Sequence, residues 1–123
     1  MTWLLALWLA VPPEIVAAVE RIESHGVWWT VSHSGCIGVM QVCPQYSHAP
    51  WPLLFLPPVN RYYGARELRY WHRRAHGDWS LALAAYRCGN AGLRGECGTA
   101  YADTVLRMAK QARIRRHGNS AHP

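Results

Sequence analysis

Apolar residues along this chain recur three and four positions apart, with no stretch of strict alternation. They mark out helices separated by clusters of proline and glycine. Pro12 and Pro13 open the first clear helix, where a missing N–H leaves nothing unpaired. Ile15, Val16, Val19 and Ile22 form one buried face running to Ser24, and Gly26 is expected to stop it. Glu23 lies four residues after Val19 and seven after Val16, so it projects from that apolar face. Glu20 projects from another and is expected to be solvated. Residues 44–58 carry five of the chain's eight prolines around Trp51, Leu53, Leu54, Phe55 and Leu56. That stretch reads as a loop or a turn–helix–turn whose apolar side chains are expected in the core, a cleft wall being the alternative.

Val59 to Ala75 reads as a helix with Tyr63, Leu68 and Trp71 inward. Asp78 is an N-cap for a helix over Trp79–Cys88, which Gly89 ends, and its small face of Ala82, Ala84 and Ala85 permits close packing. Gly89 to Gly98 is expected as a short loop. Thr99 then caps a last helix reaching about Arg113, with Val105 and Met108 facing in. The pattern predicts an all-α fold, with one domain over residues 1–112 and a basic, frayed tail over 113–123.

Composition agrees with one small globular core: 123 residues, half hydrophobic and 16% charged. A net charge of +6, carried almost wholly by arginine, suggests an acidic partner such as nucleic acid, anionic lipid or a cell-wall polymer. No nucleic-acid-binding motif accompanies the charge, so nucleic acid is not expected. The apolar run of residues 3–11 is short for a signal-peptide core, lacks a positive flank and a small-x-small cleavage site, and is too short to span a bilayer. Cys36, Cys43, Cys88 and Cys97 permit three pairings, one local (Cys36–Cys43 with Cys88–Cys97) and two that cross between segments. At least one disulfide is expected, which implies an oxidising compartment; four buried thiols are the reduced alternative. The spacing fits no common zinc motif. His72 and His76 share a helical spacing without a third ligand, so neither a metal nor another cofactor is expected.

Candidate chemistry centres on Glu23. Burial on an apolar face and a position in the last helical turn both disfavour its charged form, so its pKa is expected to be raised, as general acid catalysis requires. A carboxylate at a helix end is more commonly a cap or an arginine partner. The segment that follows, Ser32-His33-Ser34-Gly35-Cys36-Ile37-Gly38-Val39-Met40-Gln41, describes a tight glycine loop that turns into a buried stretch. Such glycines let a ligand approach the backbone, and Gln41 offers a donor and acceptors.

Glu23-Ser24, Gly35-Cys36-Ile37-Gly38-Val39-Met40-Gln41 and Pro44 resemble the E-S … G-A-x-G-L-M-Q … P signature of the SLT-type lytic transglycosylases. Asn60-Arg61-Tyr62-Tyr63-Gly64-Ala65 is similar to their N-I-x-x-G-x segment, and Ala82-Leu83-Ala84-Ala85-Tyr86-Arg87-Cys88-Gly89 to A-L-A-A-Y-N-A-G. Thr99 to Val105 resembles the closing T-x-x-Y-V-x-x-V helix, one residue shortened. Four motifs in order cover roughly residues 10–108. The resemblance implies a lysozyme-like helical domain with a helix before the one bearing Glu23, so residues 3–11 are expected to form that structural helix, an export signal being the alternative.

The resemblance further implies cleavage of the β-1,4 bond from N-acetylmuramic acid to N-acetylglucosamine in peptidoglycan. Glu23 would be the single acid and base, and the product a 1,6-anhydro sugar. Ser32, nine residues after Glu23, matches a serine that hydrogen-bonds the acid. Gly38, Met40, Gln41 and Cys43 match the substrate-binding loop, Tyr86 a tyrosine touching acid and sugar, and Tyr101 the tyrosine of the closing helix. A second, non-catalytic glutamate of the family falls at Cys97, leaving Glu96 beside it as a weak candidate. The family's Asn is Arg87 here, and alanines of its motifs are Cys36 and Cys88. Glu14, Glu20 and Glu67 are expected to be exposed, and Asp78 and Asp103 to cap or line first turns, so a second catalytic carboxylate is lacking, which fits the one-acid mechanism. A goose-type lysozyme-like hydrolase and a non-catalytic wall-binding module are the alternatives. A monomer acting in the periplasm or outside the cell is expected, in a phage, secretion-associated or minimal secreted context.

Overall fold

The computed structural model describes residues 10–120, of which 119 and 120 are described by their backbone alone. Residues 3–9, most of the expected first helix, lie outside that range; Val11, at its end, is fully buried. Among the described residues there are helices and no strand. They are α1 (Pro13–Ser24), α2 (Pro44–Ser47), a 3₁₀ turn (Trp51–Phe55), α3 (Pro57–Arg74), α4 (Trp79–Cys88), α5 (Asn90–Leu93) and α6 (Thr99–Ser120). Two compact units divide the chain between Tyr70 and Trp71, inside α3.

In the first unit, α1 follows its pattern. Proline occupies its first turn, and Ile15, Val16, Ala18 and Val19 are buried. Each fully buried Val or Ile contributes roughly 1.5–3 kcal/mol. The helix ends at Ser24 as expected, but His25 rather than Gly26 makes the first left-handed turn out of it. His25 adopts a left-handed φ of 55° and donates its N–H to the Arg21 carbonyl, and Gly26 follows at φ 80°. Glu20 is not merely solvated. It takes a two-pronged contact from Arg61 of α3, with Nε 3.1 Å from both carboxylate oxygens and a terminal nitrogen 3.0 Å from Oε1.

The proline-rich segment also departs from expectation. Leu54 is fully buried, but Trp51, Leu53 and Leu56 are exposed, because so short a turn presents little of its surface to the core.

In the second unit, Asp78 caps α4 by accepting from the N–H groups of Ser80 (2.9 Å) and Leu81 (3.2 Å). The expected loop from Gly89 contains the short helix α5, and both α5 and α6 pack on α4. Two glycines permit this. A Cβ at Gly92 would overlap the backbone of Ala84, and one at Gly98 would lie 2.9 Å from the Ala84 carbonyl oxygen. Ala102, Val105 and Ala109 form the buried stripe of α6, while Met108 is only half-buried. The helix continues to Ser120, beyond the expected Arg113. No proline interrupts it, and its arginines and Lys110 are good helix formers placed toward the end that favours cations. His72 stacks on Trp79 with ring centroids 4.0 Å apart, and His76 has left the helix at φ 53°, so the two share no helical face.

Candidate active site

The first unit gathers Glu23, Ser32, Gly38, Met40, Gln41 and Cys43. Glu23 is the penultimate residue of α1 and is half-buried. Its neighbour Ser24 does the anchoring. The Ser24 hydroxyl is buried, donates to the Val39 carbonyl at 2.7 Å and accepts from the Gly26 N–H at 3.1 Å. The end of α1 is thereby tied to the glycine loop fifteen residues on. Sequence reasoning placed Ser24 inside a motif but gave it no task.

The loop itself is a miniature hairpin. Ile37 and Val42 exchange both backbone hydrogen bonds, at 2.8 and 3.0 Å, and enclose Gly38–Gln41. The next pair outward, Cys36 and Cys43, occupies the position where side chains of an antiparallel pair approach most closely, and the two form a disulfide. Ser32 closes the approach to this hairpin: its hydroxyl accepts from the Cys36 N–H at 3.0 Å and lies 3.2 Å from the Ser34 hydroxyl.

Asn60 fixes the loop from behind. It is wholly buried at the start of α3, and its Oδ1 accepts from the Met40 N–H at 2.8 Å. Its amide donates to the carbonyls of Ile37 (2.7 Å) and Leu54 (2.8 Å). Gly38, at φ 79°, must be glycine: a Cβ there would run into the Asn60 amide and stand 2.7 Å from the Leu54 carbonyl. Met40 is also wholly buried, with its sulfur where a Cβ on Gly64 would be. It therefore supports the loop from inside rather than lining a surface.

Gln41 is half-exposed and holds a left-handed φ of 55°, a strained conformation for a non-glycine residue that costs on the order of 1 kcal/mol or more. Its Nε2 donates to the carbonyls of Gly38 (3.1 Å) and Thr30 (3.3 Å), which fixes the orientation of the amide and leaves Oε1 as the outward acceptor. A shallow depression lined by Ala17, Glu20, Arg21, His25 and Gly26 lies along α1 and includes none of these loop residues.

Tyr86, Tyr101 and Glu96 belong to the second unit. Tyr86 is half-buried in the last turn of α4. The guanidinium of Arg87 lies over the Tyr101 ring, 5.4 Å from its centroid. Cys88 and Cys97 form the second disulfide, joining the end of α4 to the segment before α6. Glu96 is exposed and pairs with Arg94 at 3.0 Å. Among the described residues no cluster of three His, Cys, Asp or Glu side chains could hold a metal ion, and no helix is long and apolar enough to cross a membrane.

Of the seven acids in the chain, three hold structural partners: Glu20 with Arg61, Asp78 at a helix cap and Glu96 with Arg94. Glu23 stands apart from these by its place in the chain, one residue before the Ser24 that is tied to the glycine loop. A family model described as the transglycosylase SLT domain matches residues 6–104. No curated protein and no solved structure matches the chain.

Proposed function

The chain belongs to the transglycosylase SLT family, and from that premise we propose that it is a peptidoglycan lytic transglycosylase using Glu23 as its one acid and base. The Glu23 carboxyl protonates the oxygen of the bond from N-acetylmuramic acid to N-acetylglucosamine. The C1–O bond breaks, the N-acetylglucosamine hydroxyl leaves, and the sugar's own acetamido oxygen steadies C1. The Glu23 carboxylate then removes the proton from the muramic C6 hydroxyl as that oxygen bonds to C1. The product is a 1,6-anhydro sugar, and no water is consumed.

The observation that carries this reading is the Ser24–Val39 hydrogen bond, because it fastens the helix bearing Glu23 to the loop bearing Gln41. Rigid attachment keeps an acid and a substrate-binding group in register, which is worth orders of magnitude in rate. In this reading Gln41 Oε1 accepts from a sugar hydroxyl or amide, with Ser32, Gly38, Met40 and Cys43 shaping the loop. Tyr86, Tyr101 and Glu96 are the substrate-binding candidates that the second unit contributes to this reading. Two disulfides suit an oxidising setting, hence a periplasmic or extracellular place of action.

Digestion of purified peptidoglycan by the wild type and by Glu23→Gln, with products read by mass spectrometry, tests the proposal. Anhydro-muramyl ends are expected, falling by about 10²–10⁴-fold in the variant. Products heavier by one water would mean hydrolysis, and no release by the wild type would leave a wall-binding module.

A further inference from the structure

Trp28 and Trp29 stand in the turn between Glu23 and Gln41, and they are 49% and 62% exposed. A lone exposed hydrophobe is ordinary, but these two are arranged. Their rings meet edge to face, with centroids 5.4 Å apart at 83°, a geometry that covers at most one face of one ring. The backbone beneath them is pinned at each step. Val27 N–H donates to the Ser24 carbonyl (3.0 Å) and Thr30 N–H to the Val27 carbonyl (3.4 Å). The Thr30 carbonyl in turn accepts from the Gly38 N–H (2.8 Å) and from Gln41 Nε2 (3.3 Å). Trp29 is thus one residue from the atom that orients Gln41.

Charge narrows what this surface meets. On a chain of net charge +6, residues 24–60 contain no Asp, Glu, Lys or Arg. A surface for anionic lipid or nucleic acid would carry its arginines beside the aromatic rings. Flat, exposed aromatic faces in an uncharged stretch match instead a neutral sugar, whose ring has an apolar C–H face.

We propose that Trp28 and Trp29 form an aromatic subsite that stacks on a neutral N-acetylhexosamine ring of the glycan strand and delivers the strand to Gln41. The inference deepens the transglycosylase reading and rests on it for the identity of the polymer. Trp28 and Trp29 act there as binding residues and take no part in the proton transfers.

The test uses the Glu23→Gln chain, so that ligand is not consumed, titrated calorimetrically with a hexamer of β-1,4-linked N-acetylglucosamine. Trp28→Ala and Trp29→Ala, each added to that background, are expected to raise Kd about ten-fold, the effect of losing one ring stack. Trp29→Phe should recover part of the loss. Trp51→Ala, which removes a comparably exposed indole elsewhere, should change nothing. With Glu23 intact, the same tryptophan variants should raise KM on peptidoglycan far more than they lower kcat. Unchanged Kd in both alanine variants, or no hexamer binding by the parent, overturns the proposal. So does a loss confined to partition onto neutral phospholipid vesicles. Anhydro products from the wild type with tryptophan-independent binding would overturn the subsite and keep the transglycosylase. Tryptophan-dependent binding without anhydro products would do the reverse.

Discussion

Replacing Asn60 by alanine should be among the most damaging single changes in the first unit. Its side chain makes three short hydrogen bonds to backbone groups, two in the glycine loop and one in the 3₁₀ turn, and none of it reaches solvent. Truncation strands the Met40 N–H and the carbonyls of Ile37 and Leu54. Each buried polar group left unpaired costs about 1–3 kcal/mol. Water entering the vacated space can relieve some of this, so the total should be roughly 3–6 kcal/mol. Domains of this kind are stable by only about 5–15 kcal/mol. The loss should therefore lower the unfolding midpoint by at least about 10 °C. Asn60→Asp is the sharper variant. It keeps an acceptor for Met40 but turns an oxygen toward the two carbonyls where the amide donated, so it should cost at least as much as alanine. Urea unfolding followed by circular dichroism, with Gln41→Ala as a half-exposed comparison, gives both values. A loss below about 1 kcal/mol for Asn60→Ala would refute the reasoning, because no arrangement of these three bonds is compatible with so small a cost.

Gly64→Ala ordinarily gains about 1 kcal/mol within a helix, but here the sign should reverse. The added methyl would sit 2.5 Å from the Met40 sulfur and 2.8 Å from its Cε, so thermal unfolding should show a loss, and the double variant Gly64→Ala with Met40→Ala should recover part of it. Reducing both disulfides under native conditions should lower stability by about 2–3 kcal/mol for each short loop. The two pairs are separated by 7 and 9 residues, and urea titration with and without a thiol reductant reads the difference. Equal midpoints in the two titrations would mean that the bridges contribute nothing.

What the sequence determined by itself is what near neighbours decide. The periodicity of Ile15, Val16 and Val19 placed Glu23 in the last turn of α1, and Asp78 and Gly89 bounded α4 to the residue. The order of four motifs pointed to the transglycosylase family that the family model independently matches. Such features depend on torsional preference and hydrogen bonds within a few residues, so they survive without tertiary context. The tertiary structure decided whatever joins positions far apart in the chain. Glu20 was expected in solvent and instead meets Arg61, forty-one residues away. Ser24 and Asn60 stood in the motifs as letters and acquired tasks only when the loop at Ile37–Met40 lay against them. Of three possible cysteine pairings the local one formed, because the reciprocal bonds between Ile37 and Val42 bring Cys36 to Cys43. Trp51, Leu53 and Leu56 were expected inside and are exposed, since composition reports how apolar a segment is and only packing reports which side is covered. Burial and distant pairing are properties of the folded surface as a whole, and no window of sequence contains them.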